Sequence, residues 1–276
     1  MSESSDSMVP WTGGGVGPDL TCVLAPNPGP LTLEGTNTWI IGAPGSEAAV
    51  VVDPGPAVES HLAAIENRTG EQGRRIAAIV LTHGHPDHAE GAAELSRRVD
   101  CEVLTVGQVI DVGGIELEVV DTPGHSSDSV SLLVARSCAL ITGDTILGRG
   151  TAVIAYPDGD LGEYLESLRR LRDLAERRRL EVLLPGHGPP LTRPVAAIDG
   201  YLRHRAERLE QVREAVGELG SVPSPDREAR ARLATDVVEM VYSDVPRVLW
   251  PAARASVRAQ LAYLFGPEED QSVDRD

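Results

Sequence analysis

The stretch IAAIVLTHGHPDHAE, residues 76–90, decides how this chain is read. Its opening, IAAIVL at 76–81, is a short apolar run with β-branched residues, the pattern of a buried strand. Three of the seven histidines follow at once, His83, His85 and His88, with Asp87 among them. Alternate residues 83 and 85 can converge on one cation. Asp87 and His88 open the next helix and can turn toward a second, so one turn offers two adjacent sites. Nitrogen and carboxylate donors suit zinc, and manganese, iron and cobalt accept the same set.

Working outward, the same context recurs three times. DTPGH ends at His125, ITGD ends at Asp144 and LPGHGP centres on His187, each directly after an apolar, strand-like run. Rigid strands fix ligand positions, and glycine allows tight turns close to an ion. The two remaining histidines, His61 and His204, lie in helix-like stretches and read as structural. Asp53, in VVVDPG at another strand end, reads either as an acceptor that orients a ligating imidazole or as a turn-capping aspartate. Thr36 and Asn37, in the turn GTNT, read by themselves as plain turn residues.

Strand-like segments occupy 20–25, 37–42, 48–53, 77–82, 115–121, 129–135 and 138–144, with helical periodicity at about 57–69, 87–99 and 160–179. This predicts an α/β layered domain. From Pro194 the pattern becomes helical only, with a break at SVPSP, 221–225. The expected organisation is a disordered tail over 1–18, a catalytic domain over 19–194, a helical domain over 195–266 and an acidic tail over 267–276.

Composition narrows the function. All 25 basic residues are arginine, which excludes a Schiff-base lysine and a Walker-type phosphate lysine. Cys22, Cys101 and Cys138 are odd in number and form no CxxC pair, so neither a disulfide framework nor a thiolate zinc site is expected. A formal charge of −17 opposes a polyanionic partner, and residues 195–266 carry ten acids against ten arginines. The arginines between Arg169 and Arg179 alternate with Leu, Asp173 and Glu176 and read as a solvated helix face. The N-terminal stretch has no signal-peptide pattern and no apolar run is long enough to span a bilayer, so a cytoplasmic protein without membrane contact is expected.

The HxHxDH string, followed by His, Asp and His at strand ends, resembles the metallo-β-lactamase superfamily. That resemblance implies an αββα sandwich and a two-metal hydrolase. It implies that His83, His85 and His125 hold the first metal, that Asp87, His88 and His187 hold the second, and that Asp144 bridges both. Asp87 and Asp144 would then be the catalytic carboxylates that orient a metal-bridging hydroxide. NPGPLTLEGTNTWIIG (27–42), TPGHSSDSVSLL (122–133), GDTILGRGTAV (143–153) and the helical tail further resemble the β-lactamase-like protein 2 family. Members of that family carry a small C-terminal winged-helix-like domain, and some are endoribonucleases; the same resemblance implies that Thr36 and Asn37 lie near the metal site and touch substrate. Flavodiiron proteins usually carry Glu where this chain has His85, so an oxygen-reducing iron role is not expected.

Three functions follow. The first is zinc-dependent hydrolysis of a small-molecule ester or thioester. The second is single-strand RNA cleavage, although one Phe and five Tyr leave little aromatic surface for base stacking. The third is a nucleic-acid-binding module with a vestigial active site. Oligomeric state is not legible in the sequence.

Overall fold

A strand covered on both faces reads as an unbroken apolar run, and Asn37–Gly42, Ala48–Val52 and Val130–Val134 are buried at every position. In the computed structural model, which describes residues 10–105, 107 and 109–269, these runs are central strands of two facing sheets.

The first sheet orders β1 (Gly14–Gly15), β2 (Leu20–Leu24), β3 (Asn37–Gly42), β4 (Ala48–Val52), β5 (Arg75–Val80) and β6 (Glu102–Val103) side by side. The second contains β7 (Val109–Val112), β8 (Ile115–Asp121), β9 (Val130–Val134), β10 (Ala139–Gly143) and β11 (Val182–Pro185), in the order 11-10-9-8-7. Helix α1 (Glu59–Glu71) carries the chain from β4 to its parallel neighbour β5, followed by α2 (Pro86–Ala89) and α3 (Ala92–Val99). Helix α4 (Leu161–Arg178) makes the corresponding crossover from β10 to β11. Parallel pairs need such crossovers, which place helices on the outer faces.

Alternation along each strand then builds the layers. Trp39, Ile41, Val50, Val52 and Val80 face inward and pack with Leu132, Ile141 and Leu184 of the opposite sheet. Ile40, Val51 and Ile79 face outward under Leu62 and Ile65 of α1 and Leu95 of α3. On the other side Leu133, Leu140 and Leu183 lie under Leu165, Leu168 and Leu171 of α4. Helix α4 starts where Asp160 accepts from the Glu163 amide at 2.8 Å, and it ends at Arg179 in a left-handed conformation. The sandwich expected from the sequence is therefore present.

The chain closes with α5 (Pro194–Glu218), α6 (Arg227–Val241) and α7 (Trp250–Phe265). Ile198 and Tyr201 in the first half of α5 belong to the sandwich core. Val212, Ala215 and Val216 in its second half belong to a separate cluster with α6 and α7. The expected boundary at 194 thus falls at the start of one continuous helix shared by both cores. No strand follows β11 among the described residues, so the helices of the winged-helix expectation are present and the paired strands of a wing are not.

Three local expectations differ from the structure. The helix expected over 87–99 is split into α2 and α3 at Gly91, whose amide donates to the Gly55 carbonyl at 2.9 Å. Of the expected tail, residues 1–9 lie outside the described residues. Residues 14 and 15 pair with β2, and Trp11 Nε1 donates to Asn37 Oδ1 at 2.8 Å, so order begins well before residue 19. Within the acidic tail, Glu268 is ion-paired with Arg258 at 2.5 Å, while 270–276 lie outside the described residues. No described helix is long and apolar enough to cross a membrane.

Candidate metal centre

The strand ends deliver the expected residues to one edge of the sandwich. His83 and His85 follow β5, Asp87 and His88 sit on α2, His125 follows β8, Asp144 follows β10 and His187 follows β11. Pro86 at the first position of α2 has no amide to leave unpaired and pre-sets the helical turn that carries Asp87 and His88.

The side chains converge in two adjoining groups. His83 Nε2 lies 3.0 Å from His85 Nδ1, which lies 3.1 Å from His125 Nε2. His88 Nε2 lies 3.3 Å from His187 Nε2, and Asp87 Oδ2 is 3.6 Å and 3.3 Å from these two nitrogens. Asp144 stands between the groups: Oδ1 is 3.4 Å from His88 Nε2, and Oδ2 is 3.4 Å from His187 Nε2 and 3.7 Å from His125 Nε2.

The hydrogen-bond network assigns the tautomers. Thr82 Oγ1 donates to Asp53 Oδ2, leaving it an acceptor for His83 Nδ1–H at 3.0 Å. His125 Nδ1 donates to the Val153 carbonyl at 2.9 Å and His187 Nδ1 to the Gly35 carbonyl at 3.2 Å. His88 Nδ1 donates to Asp53 Oδ2 at 2.9 Å, and His85 Nε2 faces Asp158 Oδ2 at 3.2 Å. With one ring nitrogen of each neutral imidazole protonated outward, the five inward nitrogens are the ones left to carry lone pairs. Lone pairs 3.0–3.3 Å apart with no proton between them repel unless a positive charge lies among them.

Electrostatics and packing agree. Burial works against a charged imidazole at His88 and His187, yet the Asp144 carboxylate beside both holds His88 well above its usual pKa and His187 at about 9, so without metal these two rings draw a proton to the inward side, the place a cation would take. Burial at His83 pushes that ring down to about 3. Asp144 Oδ1 is buried without a hydrogen-bond donor among the described residues. A lone buried carboxylate oxygen is costly, and a cation satisfies it. Gly186 leaves the necessary room, since a Cβ there would lie 2.5 Å from Asp144 Oδ1 and 2.7 Å from His88 Cε1. The residues present therefore fit metal ions, with three possible ligand groups: His83/His85/His125, His83/His88/Asp144 and Asp87/His88/His187.

Asp53 has the orienting role that one sequence reading gave it. It is buried, has a left-handed backbone (φ 52°), and accepts from the Thr82 amide and hydroxyl at 2.7 Å each as well as from His88. All three partners donate, so a carboxamide in place of this carboxylate would have to point its own N–H at a donor. Asp53→Asn is expected to weaken metal affinity about 10–100-fold and to destabilise the metal-free fold by about 1–3 kcal/mol. Competition with a fluorescent chelator and urea unfolding measure the two effects.

Asn37 and Thr36 are wholly buried and serve the His187 turn. Asn37 Nδ2 donates to the carbonyls of Pro185 (2.9 Å) and Gly188 (2.8 Å), and Thr36 forms a backbone bridge with His187. Neither lines the cavity over the centre, so the turn reading holds. His204 is a half-buried residue of α5. His61 is buried on α1, where Nε2 donates to Thr38 Oγ1 at 2.9 Å because that hydroxyl donates to the Asp53 carbonyl. Its Nδ1 has no partner among the described residues, and burial pushes the ring down to about 4. A folded pKa below the unfolded value near 6.5 means the unfolded chain binds more protons at intermediate pH. The His61 contribution is therefore complete above about pH 6.5 and lost as pH falls toward 4, up to about 3 kcal/mol. Urea unfolding at pH 7 and pH 4.5 should show the wild type losing stability relative to His61→Gln.

Above the centre lies a cavity of about 300 Å³, with His85, Asp87, His125, Asp144 and His187 at its base. Its walls include Leu31, Leu33, Leu147, Ala152 and Val153. The wall that follows Asp144 is fixed from behind by the helices. Tyr164 Oη donates to the Thr145 carbonyl at 2.7 Å, Tyr201 Oη accepts from the Leu147 amide at 2.7 Å, and Arg205 donates to the Ala152 carbonyl. The sequence reading missed Arg205, Asp158 and Arg149. In YPDGD nothing distinguishes Asp158, which meets His85, from Asp160, which caps α4.

The profile of the Metallo-beta-lactamase superfamily matches residues 31–107 and 102–187, more than half of the chain and every residue of the centre. The chain belongs to the metallo-β-lactamase superfamily. Relatives of this superfamily member include the Caenorhabditis elegans protein named Beta-lactamase-like protein 2 homolog, 31% identical over 89% of this chain and 83% of that one. A Drosophila melanogaster protein of the same name is 31% identical over 88% and 86%. Among solved structures, a beta-lactamase domain protein from Burkholderia ambifaria superposes with a TM-score of 0.71 at 22% identity, covering 95% of this chain and 90% of that one. The metallo-beta-lactamase family protein TTHA1429 from Thermus thermophilus gives 0.66 at 22% identity, covering 89% and 93%. Like the superfamily at large, this metallo-β-lactamase-fold protein is a metal-dependent hydrolase.

Proposed function

We propose that the protein hydrolyses a small ester or thioester with a dinuclear zinc centre held by the seven side chains described above. The observation that carries this reading is the convergence of five imidazole nitrogens and one unpartnered Asp144 oxygen beneath a partly open, largely apolar cavity. His83, His85 and His125 would hold the first cation, Asp87, His88 and His187 the second, and Asp144 both. A bound pair of cations supplies hydroxide at neutral pH and polarises the scissile oxygen.

The protein's own residues would do the remaining work. Asp53, Asp158 and the carbonyls of Val153 and Gly35 hold the rings in one orientation, which removes a reorganisation cost from each turnover. Asp87 and Asp144 would orient the attacking oxygen by accepting its hydrogen bond and so fix its line of approach. Leu31, Leu33 and Leu147 seat the apolar part of the substrate and exclude bulk water.

RNA cleavage is the competing reading, drawn from the family resemblance, and the charge of −17 and the small cavity oppose it. Zinc-loaded protein should hydrolyse members of an acyl ester and thioester panel, leave labelled single-stranded RNA intact, and lose its activity on His85→Ala. RNA cleavage that disappears in the same variant would replace the ester reading with the nuclease one.

A further inference from the structure

The cavity wall contains one arginine among the described residues that line it, Arg149, in the turn LGRG directly after Asp144. Its side chain is three-quarters buried, a costly place for a guanidinium unless its donors are used. One is used: Nη2 meets Oε1 of Glu34, on the loop that also carries Leu31 and Leu33, at 2.5 Å. The contact is single-pronged, because Glu34 Oε2 is buried without a donor among the described residues. The other guanidinium N–H groups make no hydrogen bond to those residues. Glu34 thus holds one edge of a planar five-donor group and leaves the rest without a partner among the described residues, on a residue that lines the cavity. At the base the proposed cations are engaged with the bond to be cleaved, so a separate anionic group of the substrate needs a cationic partner away from the base, and among the described lining residues Arg149 is the one arginine.

We propose that Arg149 is a specificity-determining residue that binds an anionic oxygen group of the substrate, a carboxylate or a phosphate, while the bond to be cleaved lies over the metal centre. This deepens the ester-hydrolase reading and rests on it for its kinetic test. A merely structural role, in which Glu34 and Arg149 only tie two loops together, gives no discrimination between anionic and neutral substrates.

The test compares kcat/KM ratios in zinc-loaded wild type, Arg149→Met and the double variant Glu34→Gln/Arg149→Met, which avoids stranding the Glu34 charge. One arm uses N-acetylcysteamine thioesters of succinate, glutarate and adipate against butyrate, pentanoate and hexanoate, so that only the acyl end is anionic. The other uses a neutral acyl group on phosphopantetheine against pantetheine, so that only the leaving group is anionic. The wild type should prefer the anionic partner in one arm, and both variants should lose about ten- to a hundredfold of that ratio. No preference in either arm, or one that survives in both variants, overturns the proposal. If no thioester is hydrolysed, the thioester part of the proposed function fails by itself. Calorimetric binding of glutarate against pentanoate, and of phosphopantetheine against pantetheine, then decides the role of Arg149: an Arg149-dependent difference supports it, and equal binding in each pair rejects it.

Discussion

Asp144→Asn is expected to lower kcat/KM by about a thousandfold or more and to abolish binding of two metal equivalents, while the metal-free chain still folds. The side chain keeps its size, so packing is unchanged, but its charge and one acceptor are gone. In the native chain Oδ1 faces His88 and Oδ2 faces both His187 and His125, making Asp144 the carboxylate that both groups share. The carboxamide of the variant would offer an N–H to one of those imidazole lone pairs and satisfy it internally, in competition with a cation. Metal stabilisation of a developing charge is worth several kcal/mol, and each 1.36 kcal/mol is about tenfold in rate. Steady-state kinetics, elemental analysis and thermal unfolding without metal separate loss of the centre from loss of the fold.

Gly186→Ala should be nearly as damaging although it removes no ligand. The added Cβ would sit 2.5 Å from Asp144 Oδ1 and 2.7 Å from His88 Cε1. The backbone has no room to retreat, because the Gly186 amide donates to the Gly143 carbonyl at 2.8 Å and its own carbonyl accepts from the Asn37 amide at 2.7 Å. His88 cannot swing away without breaking its bond to Asp53. Displacing both side chains by about 1 Å costs on the order of a hundredfold in rate, with a parallel loss of metal affinity. Chelator competition and kinetics on the same preparation should show both losses. An alanine variant with native affinity would mean that the close approach is not what shapes the centre.

The legible part of the site was the part encoded in short contiguous strings. THGHPDH, PGH, TGD and PGHG each follow an apolar run, and the structure brings all seven of their candidate ligands together. The sandwich was legible for a similar reason: strands such as Trp39–Ile41 and Val50–Val52 are buried on both faces and leave continuous apolar runs. What escaped depends on long-range geometry. β1 is two glycines held by pairing to Thr21 and Cys22, and no propensity marks such a strand. β7 alternates exposed and buried residues over only four positions. Arg205 lies in a charged helical stretch whose pattern says solvent, yet it is buried beneath the cavity wall. The substrate role expected of Asn37 came from the family resemblance of its segment, whereas its partners are the backbone carbonyls that hold the His187 turn.

Metal titration of freshly stripped protein, with bound metal counted by elemental analysis, tests the central claim most directly. The account predicts saturation at two divalent ions per chain for the wild type and at one for His85→Ala, whose loss affects only the His83/His85/His125 group. Failure of the wild type to bind any divalent ion, or His85→Ala binding as much as the wild type with the same affinity, would contradict it.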